Sequence, residues 1–468
     1  MLRLHAFALA ACLLVPGCNC SEEPEVGEPA AEEERPAEES APPGLLWVTI
    51  DTLRADHLSA YGYARETSPR LTGLAAEGAL FENASVQGMW TFQSVPSIMT
   101  SEWAQQYVLH WEGERPVSHP PPDADWIPER LRQEGYRTVL VTGHGVLDGV
   151  LGLCERFDEC QIGDWPAEEV TRRALEVFRA HRGERPLFLW AYYLDPHFPY
   201  EAPPPFDSQF VGDGLVVTGL SAGPGERIWV GRGGLPQRAV VDGRTDLDWY
   251  IARYDGEIAY ADREVGRLVD GYREAGVLDE TVFMLFADHG HSPIEHDPYL
   301  SHAEQVYDTI MQIPWVVRYP PVVQADRRVE AQVMAVDIAP TTFGLLGLEA
   351  PERWVGTDQT PCLRGGECAT RPAFGISYTL GGNEIAIREP PHKLICDAAL
   401  EGCRLYDLQA DPGELTDVAD ANEAVVARLR PILAAWIRDN PPRHLDPAAA
   451  EQLSEETLEG LRALGYIE

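Results

Sequence analysis

The stretch from Thr281 to His302 constrains the fold more than any other. It opens with Thr281-Val282-Phe283-Met284-Leu285-Phe286, a run without a charge. Such a run reads as a strand buried on both faces, as in a parallel sheet. It ends at Ala287, and Asp288-His289-Gly290 follows at once. Ligands of open α/β sheets sit outside the carboxyl ends of strands. An Asp-His pair there, before a flexible Gly, is placed to hold a metal. His291, His296 and His302 follow in the same stretch.

Three more runs repeat the pattern. Gly44 to Ile50 ends on Asp51, Arg137 to Val141 ends at Thr142-Gly143-His144, and Pro186 to Tyr193 leads into Leu194-Asp195-Pro196-His197. Ile313 to Arg318 is one more strand. Helical spacing covers Pro69 to Glu77, Val170 to His181 and Tyr254 to Ala275. Strands and helices alternate, so the expected fold is α/β: a mostly parallel sheet sandwiched by helices. Asp51, His144, Asp195/His197 and Asp288/His289 then converge on one edge. Residues 205–245, rich in Gly and polar groups, read as an insertion or lid over that edge.

After about residue 375 the texture changes. Short antiparallel strands are expected at Ile385 to Arg388, Lys393 to Cys396 and Cys403 to Tyr406, with an amphipathic helix over Ala424 to Arg438. The organisation is therefore a main domain over 45–375 and a smaller C-terminal α+β subdomain over 376–468.

The opening MLRLHAFALAACLLVPGC is too short to span a membrane and reads as a signal peptide over residues 1–18. Small residues before Cys18 resemble a bacterial lipobox, which makes Cys18 the lipidated residue, and Asn19 leans toward outer-membrane sorting. Residues 19–44 form a tether; Ser21 to Pro43 holds nine Glu and one Arg and too little apolar surface to fold. The expected location is therefore the cell envelope, with the membrane as a partner through the lipid anchor.

The chain of 468 residues has a net charge of -38, and the tether accounts for a small part of it. So acidic a body argues against nucleic-acid binding. Six of the nine cysteines fall into close pairs: Cys154/Cys160, Cys362/Cys368 and Cys396/Cys403. In an exported chain these read as disulfides. None has the Cys-x-x-Cys spacing that a zinc cluster favours. There is one lysine, Lys393.

Seven segments together resemble the sulfatase family of the alkaline phosphatase superfamily: VTIDTLRADHLSAYGY (48–63), WTFQSVPSIMTS (90–101), LDPHFPY (194–200), YDGEIAYADREVGRL (254–268), FADHG (286–290), HAEQVYDTIMQIPWVVRYP (302–320) and LYDLQADPGELTDV (405–418). The tail LSEETLEGLRALGYIE fits as well. The resemblance implies a metal-dependent hydrolase of anionic sulfate or phosphate esters. By it Asp51, Asp288 and His289 match metal ligands, although Thr52 stands where the family has a second acidic residue. His197 and His302 match ester-contacting positions, and His144 lies near another. Lys393 resembles a structural position. His57 is expected to bond backbone, His291 to be solvated, His296 to stand behind the ligands, and Trp90 to be core.

The nucleophile segment departs most from the family. Counting back from Thr100 places Thr91 at the nucleophile position, with Gln93 for Pro and Val95 for Arg; Ser94 lies three residues too late. The family oxidises Cys or Ser to formylglycine, whereas Thr carries a methyl on Cβ and would give a ketone. A Thr alkoxide on one divalent ion, with Thr91 joining Asp51, Asp288 and His289 as ligands, resembles the phospho-ester branches. Mn²⁺, Mg²⁺ or Ca²⁺ suits such an oxygen-rich set, and Zn²⁺ remains possible. Two alternatives stay open: a phosphodiesterase or phosphotransferase built on Thr91, and a binding protein that has lost turnover.

Overall fold

The computed structural model describes residues 42–106, 108–112, 115–119, 123–212, 240–292, 296, 302, 305–377, 384–441 and 459. The leader, Cys18, residues 19–41 of the tether, the tail motif apart from Glu459, and residues 213–239 lie outside them; Gly44, placed at the end of the tether by the sequence, opens the first strand. The strands in chain order are β1 (Gly44–Ile50), β2 (Ala79–Ser85), β3 (Val108–Glu112), β4 (Arg115–His119), β5 (Arg137–Thr142), β6 (Glu159–Ile162) and β7 (Leu187–Tyr193). They continue with β8 (Thr281–Ala287), β9 (Gln312–Arg318), β10 (Arg327–Met334), β11 (Ala373–Ile376), β12 (Glu384–Glu389), β13 (His392–Asp397) and β14 (Cys403–Asp407).

Eight strands form one sheet in the order β10-β2-β9-β8-β1-β7-β5-β6. β9 pairs antiparallel with both its neighbours, and every other pairing in the sheet is parallel. The central strands are the apolar runs, and every residue of β7 and β8 is buried. Trp47 of β1 locks the three middle strands together. Its ring meets Phe188 edge-on at 5.4 Å and Phe286 at 5.2 Å. Each such side chain contributes roughly 1.5–3 kcal/mol through burial.

Helices cover the sheet. Ala167–His181 packs on Leu247–Glu274, where Phe178 stacks on Tyr272 at 3.9 Å. The second helix starts seven residues before the expected Tyr254. β2, β6 and β10 are strands that the apolar pattern does not announce.

β11 to β14 form a separate four-stranded antiparallel sheet, and the Glu423–Asp439 helix packs on it through Leu429, Leu433 and Trp436. The described residues from Pro42 onward belong to one compact unit. No helix among the described residues is long and apolar enough to cross a membrane.

All three expected disulfides are present, with Cα–Cα distances of 5.2 Å for Cys154–Cys160, 4.9 Å for Cys362–Cys368 and 4.1 Å for Cys396–Cys403. The last is the shortest because Cys396 and Cys403 are directly opposed across β13 and β14, where facing Cα atoms come closest.

Candidate metal centre and active site

Strand register builds the site. Ile50 of β1 is paired with Ala287 of β8 on one side and Tyr193 of β7 on the other. One residue further, Asp51 and Asp288 therefore emerge side by side at the carboxyl edge. Asp51, Asp288 and His289 are fully buried. Each offers one ligand atom, and these atoms lie within 4.8 Å of one another.

Two observations fit a cation there. Asp51 Oδ1 is buried without a hydrogen-bond partner, a state that costs about 1–3 kcal/mol or more for a charged group. His289 Nδ1 donates to its neighbour's carbonyl, Gly290 O, at 2.7 Å. That fixes the tautomer whose basic Nε2 faces the carboxylates, the arrangement metal-binding histidines adopt. Without a counter-cation, burial and then the adjacent Asp288 push the Asp51 carboxyl well above the ordinary range, only partly offset by Tyr192.

Tyr192 was not anticipated from the sequence. Its hydroxyl lies 2.9 Å from both Asp51 Oδ2 and Asp288 Oδ2. It has one proton for two carboxylates, so it aligns the pair without satisfying it. Its place next to the end of an apolar strand was the available signal.

Thr91 opens the Thr91–Thr100 helix, and its Oγ1 lies 3.2 Å from His289 Nε2. Ser94, one turn on, turns away: its hydroxyl donates to Thr91 O at 3.4 Å. Gly290 is required by close approach rather than flexibility, because a Cβ there would sit 2.2 Å from Thr309 O.

The remaining histidines surround this cluster. His144 Nε2 is 3.8 Å from Asp51 Oδ2. The ring centroids of His197 and His302 are 5.3 Å apart. Burial, then His197, lowers His144 to about 3, and burial, then His289, holds His302 well below its ordinary value. These two are neutral hydrogen-bonding groups at neutral pH, not cations.

Other expectations are corrected. His57 bonds a side chain, not backbone: its Nδ1 lies 2.7 Å from Asp255 Oδ1. Asp255 also accepts from Tyr63 at 2.8 Å and Arg65 at 2.7 Å. His291 is buried rather than solvated, with Nε2 2.9 Å from the Tyr200 hydroxyl. His296 faces Gly413 O at 3.0 Å and stacks on Tyr307, so it braces the C-terminal loop. Asp195, at the expected strand end, accepts the amide of Ala167 at 2.9 Å. Trp90 is core, as expected. Lys393 lies in a buried ion cluster, 2.8 Å from Asp308 and 3.0 Å from Glu414.

A mostly parallel sheet whose strand ends gather two aspartates, a histidine and a helix-opening threonine defines an α/β fold of the alkaline-phosphatase kind. Residues 43–348 match the sulfatase family model, and residues 300–438 match the model of the N-sulphoglucosamine sulphohydrolase C-terminal region. The chain belongs to the sulfatase family.

It is 26% identical over 190 residues to an N-acetylglucosamine-6-O-sulfatase of Bacteroides thetaiotaomicron, a match over 38% of this chain and 34% of that protein's length. It is 20% identical over 441 residues to an arylsulfatase of Clostridium perfringens, over 81% and 91% of the two chains. A phosphonate monoester hydrolase of Agrobacterium radiobacter superposes with a TM-score of 0.70 at 22% identity, over 88% of this chain and 98% of the other. A protein solved with its substrate D-glucosamine-2-N,6-O-disulfate also gives 0.70, at 17% identity over 86% and 99%. Both structural likenesses concern the fold.

Proposed function

We propose that this protein hydrolyses anionic esters with one divalent cation held by Asp51, Asp288, His289 and Thr91, and with Thr91 as nucleophile. The observation that carries this reading is the placement of Thr91 Oγ1 at 3.2 Å from His289 Nε2. A bound Mn²⁺, Mg²⁺, Ca²⁺ or Zn²⁺ would lower the pKa of the hydroxyl and neutralise the ester oxygens. Thr91 Oγ1 displaces the leaving alcohol, and water then releases the acid from Thr91. His197 donates from Nδ1 to Phe198 O at 2.6 Å, so Nε2 is its basic nitrogen: it takes up the proton that the Thr91 hydroxyl gives up and delivers it to the leaving oxygen. His302 and His144 position the ester oxygens by hydrogen bonds.

Phospho-esters are favoured over sulfate esters. With His144 and His302 neutral and Lys393 engaged elsewhere, none of these three adds a fixed positive charge to that of the cation. A doubly charged phosphate gains more from that cation than a sulfate does. The proposed location is the cell envelope, through lipidated Cys18. The deciding experiment assays aryl sulfate, phosphate monoester, phosphodiester and phosphonate, each with and without added Mn²⁺ or Ca²⁺. Turnover of the sulfate alone would overturn the preference. No turnover of any ester, with retained anion binding, would make this a binding protein.

A further inference from the structure

The chain leaves the sheet after β7 and again after β8, on either side of β1. The first exit carries His197 and the second carries His289. A buried hydrogen bond joins them: the Tyr200 hydroxyl lies 2.9 Å from His291 Nε2. Tyr200 comes three residues after His197, and His291 two residues after His289. His291 is the fixed end. Its amide donates to Thr309 O at 3.0 Å, and its carbonyl accepts from Arg54 Nη1 at 3.4 Å. Its Nδ1 is buried without a partner, so the Tyr200 hydroxyl is the ring's one hydrogen-bonding neighbour among the described residues. Losing that bond would leave a buried imidazole with none, which is costly.

We propose that Tyr200 and His291 are positioning residues: their hydrogen bond ties the His197 loop to the segment after β8 and so sets His197 against Thr91 and His289. The proposal rests on the ester-hydrolase reading for what His197 does, and not for how its loop is held.

The packing around the bond agrees. Tyr254 of the Leu247–Glu274 helix lies against both partners, its ring centroid 5.7 Å from that of Tyr200 and 5.8 Å from that of His291. The Tyr254 hydroxyl donates to Thr52 O at 2.7 Å and accepts from the Arg54 amide at 3.1 Å, so the same bracket reaches the chain directly after Asp51. The His302 ring stands between the two exits, 5.3 Å from His197 and 6.1 Å from His291. A bond that only satisfied buried polarity would, when lost, slow every ester alike. A bond that places His197 acts on the step where a proton reaches the leaving oxygen. Such a transfer is worth about a hundredfold or more, and a displacement of about 1 Å costs a similar factor.

The test uses the full chain with Mn²⁺ and the 4-nitrophenyl, phenyl and benzyl esters of phosphoric and sulfuric acid, whose leaving alcohols are increasingly basic. It reads kcat/KM, which reports every step up to departure of the alcohol. Tyr200→Phe keeps the ring and removes the bond. It should hold the 4-nitrophenyl ester within about threefold of wild type and lower the benzyl ester by about tenfold to a hundredfold. Adding His291→Ala to Tyr200→Phe should cost less than the two single losses combined, because each removes the same bond. Hydrogen exchange of the peptide spanning 194–202 should quicken about tenfold in Tyr200→Phe, with β1 amides unchanged. An equal loss on all three leaving groups, no loss on any, or unchanged exchange overturns the proposal. If His291→Ala does not fold, Tyr200→Phe alone decides. Quickened exchange in a protein that turns over no ester would uphold the hold on the loop and count against the ester-hydrolase reading instead.

Discussion

The ring of His302 stacks on the ring of His289, with centroids 4.6 Å apart and planes 23° from parallel. His289 is thereby held from two directions, by its Nδ1 bond to Gly290 O and by the His302 ring, while its unprotonated Nε2 faces Asp288 Oδ2 at 3.3 Å. A ligand held this way loses little rotamer freedom when an ion arrives.

Removing divalent ions should lower Tm as well as stop turnover. The Asp51–Asp288 pair is then left with one Tyr192 proton between two buried carboxyls. At a hundredfold excess over Kd, a single bound ion adds about 2.7 kcal/mol. Thermal melts with chelator, then with returned Mn²⁺, measure this. Asp51→Asn should abolish the Mn²⁺-dependent rise. An equal rise in that variant would place the ion elsewhere.

Thr91→Ala should reduce kcat by at least about a thousandfold, in line with loss of a nucleophile. Thr91→Ser should retain much of the rate, and Ser94→Ala should change it less than about threefold. Mass spectrometry of the peptide holding both residues should show unmodified Thr91 and Ser94. A formylglycine mass at Ser94 would move the nucleophile by three residues.

The Lys393 cluster should give the chain a stability maximum with a different sign on each flank. Burial would raise Asp308, but Arg388 and Lys393 outweigh it and hold the group at about 2. Its contribution is present above the ordinary 3.8 and is lost as pH falls through about 2. Burial pushes Glu414 up to about 7 despite Lys393, so its contribution is present below the ordinary 4.5 and is lost as pH rises through about 7. Urea melts from pH 2 to pH 8 should show Asp308→Asn flattening the acid flank and Glu414→Gln the other. Lys393→Met should cost roughly 3 kcal/mol at neutral pH by leaving buried acid without its cation.

Each disulfide closes a short loop, so each should contribute about 2 kcal/mol by the chain-entropy estimate. Cys396→Ser with Cys403→Ser should lower the urea midpoint accordingly. Non-reducing peptide mapping should find all three pairs linked; free thiols at all six positions would contradict the fold.

Long uncharged runs made β1, β5, β7 and β8 legible, because strands buried on both faces need no alternation. β2 reads ALFENAS and β10 reads RRVEAQVM; both lie toward one side of the sheet and mix polar with apolar residues, so no single period marks them. The metal cluster was legible because its members end such runs. Histidine environments were not. His57 meets Asp255 and His291 meets Tyr200 from far along the chain, and burial decided the protonation of His144 and His302. Asp195 was placed at the sheet edge because it follows β7; its partner, the Ala167 amide at a helix start, is not visible in the local sequence.

β9 runs against its neighbours, and this sets where the link before it begins and ends. The chain leaves the carboxyl edge at Ala287 and re-enters the sheet at Gln312 on that same edge, beside the strand it left. A parallel crossover would have to spend most of its length returning to the opposite edge. Here the described residues His289, His291 and His302 of the link lie together, with the His302 ring 4.6 Å from that of His289 and 6.1 Å from that of His291. The register of β8 and β9 fixes both ends of that link on one edge, so the histidines it carries are tied to the sheet from two sides.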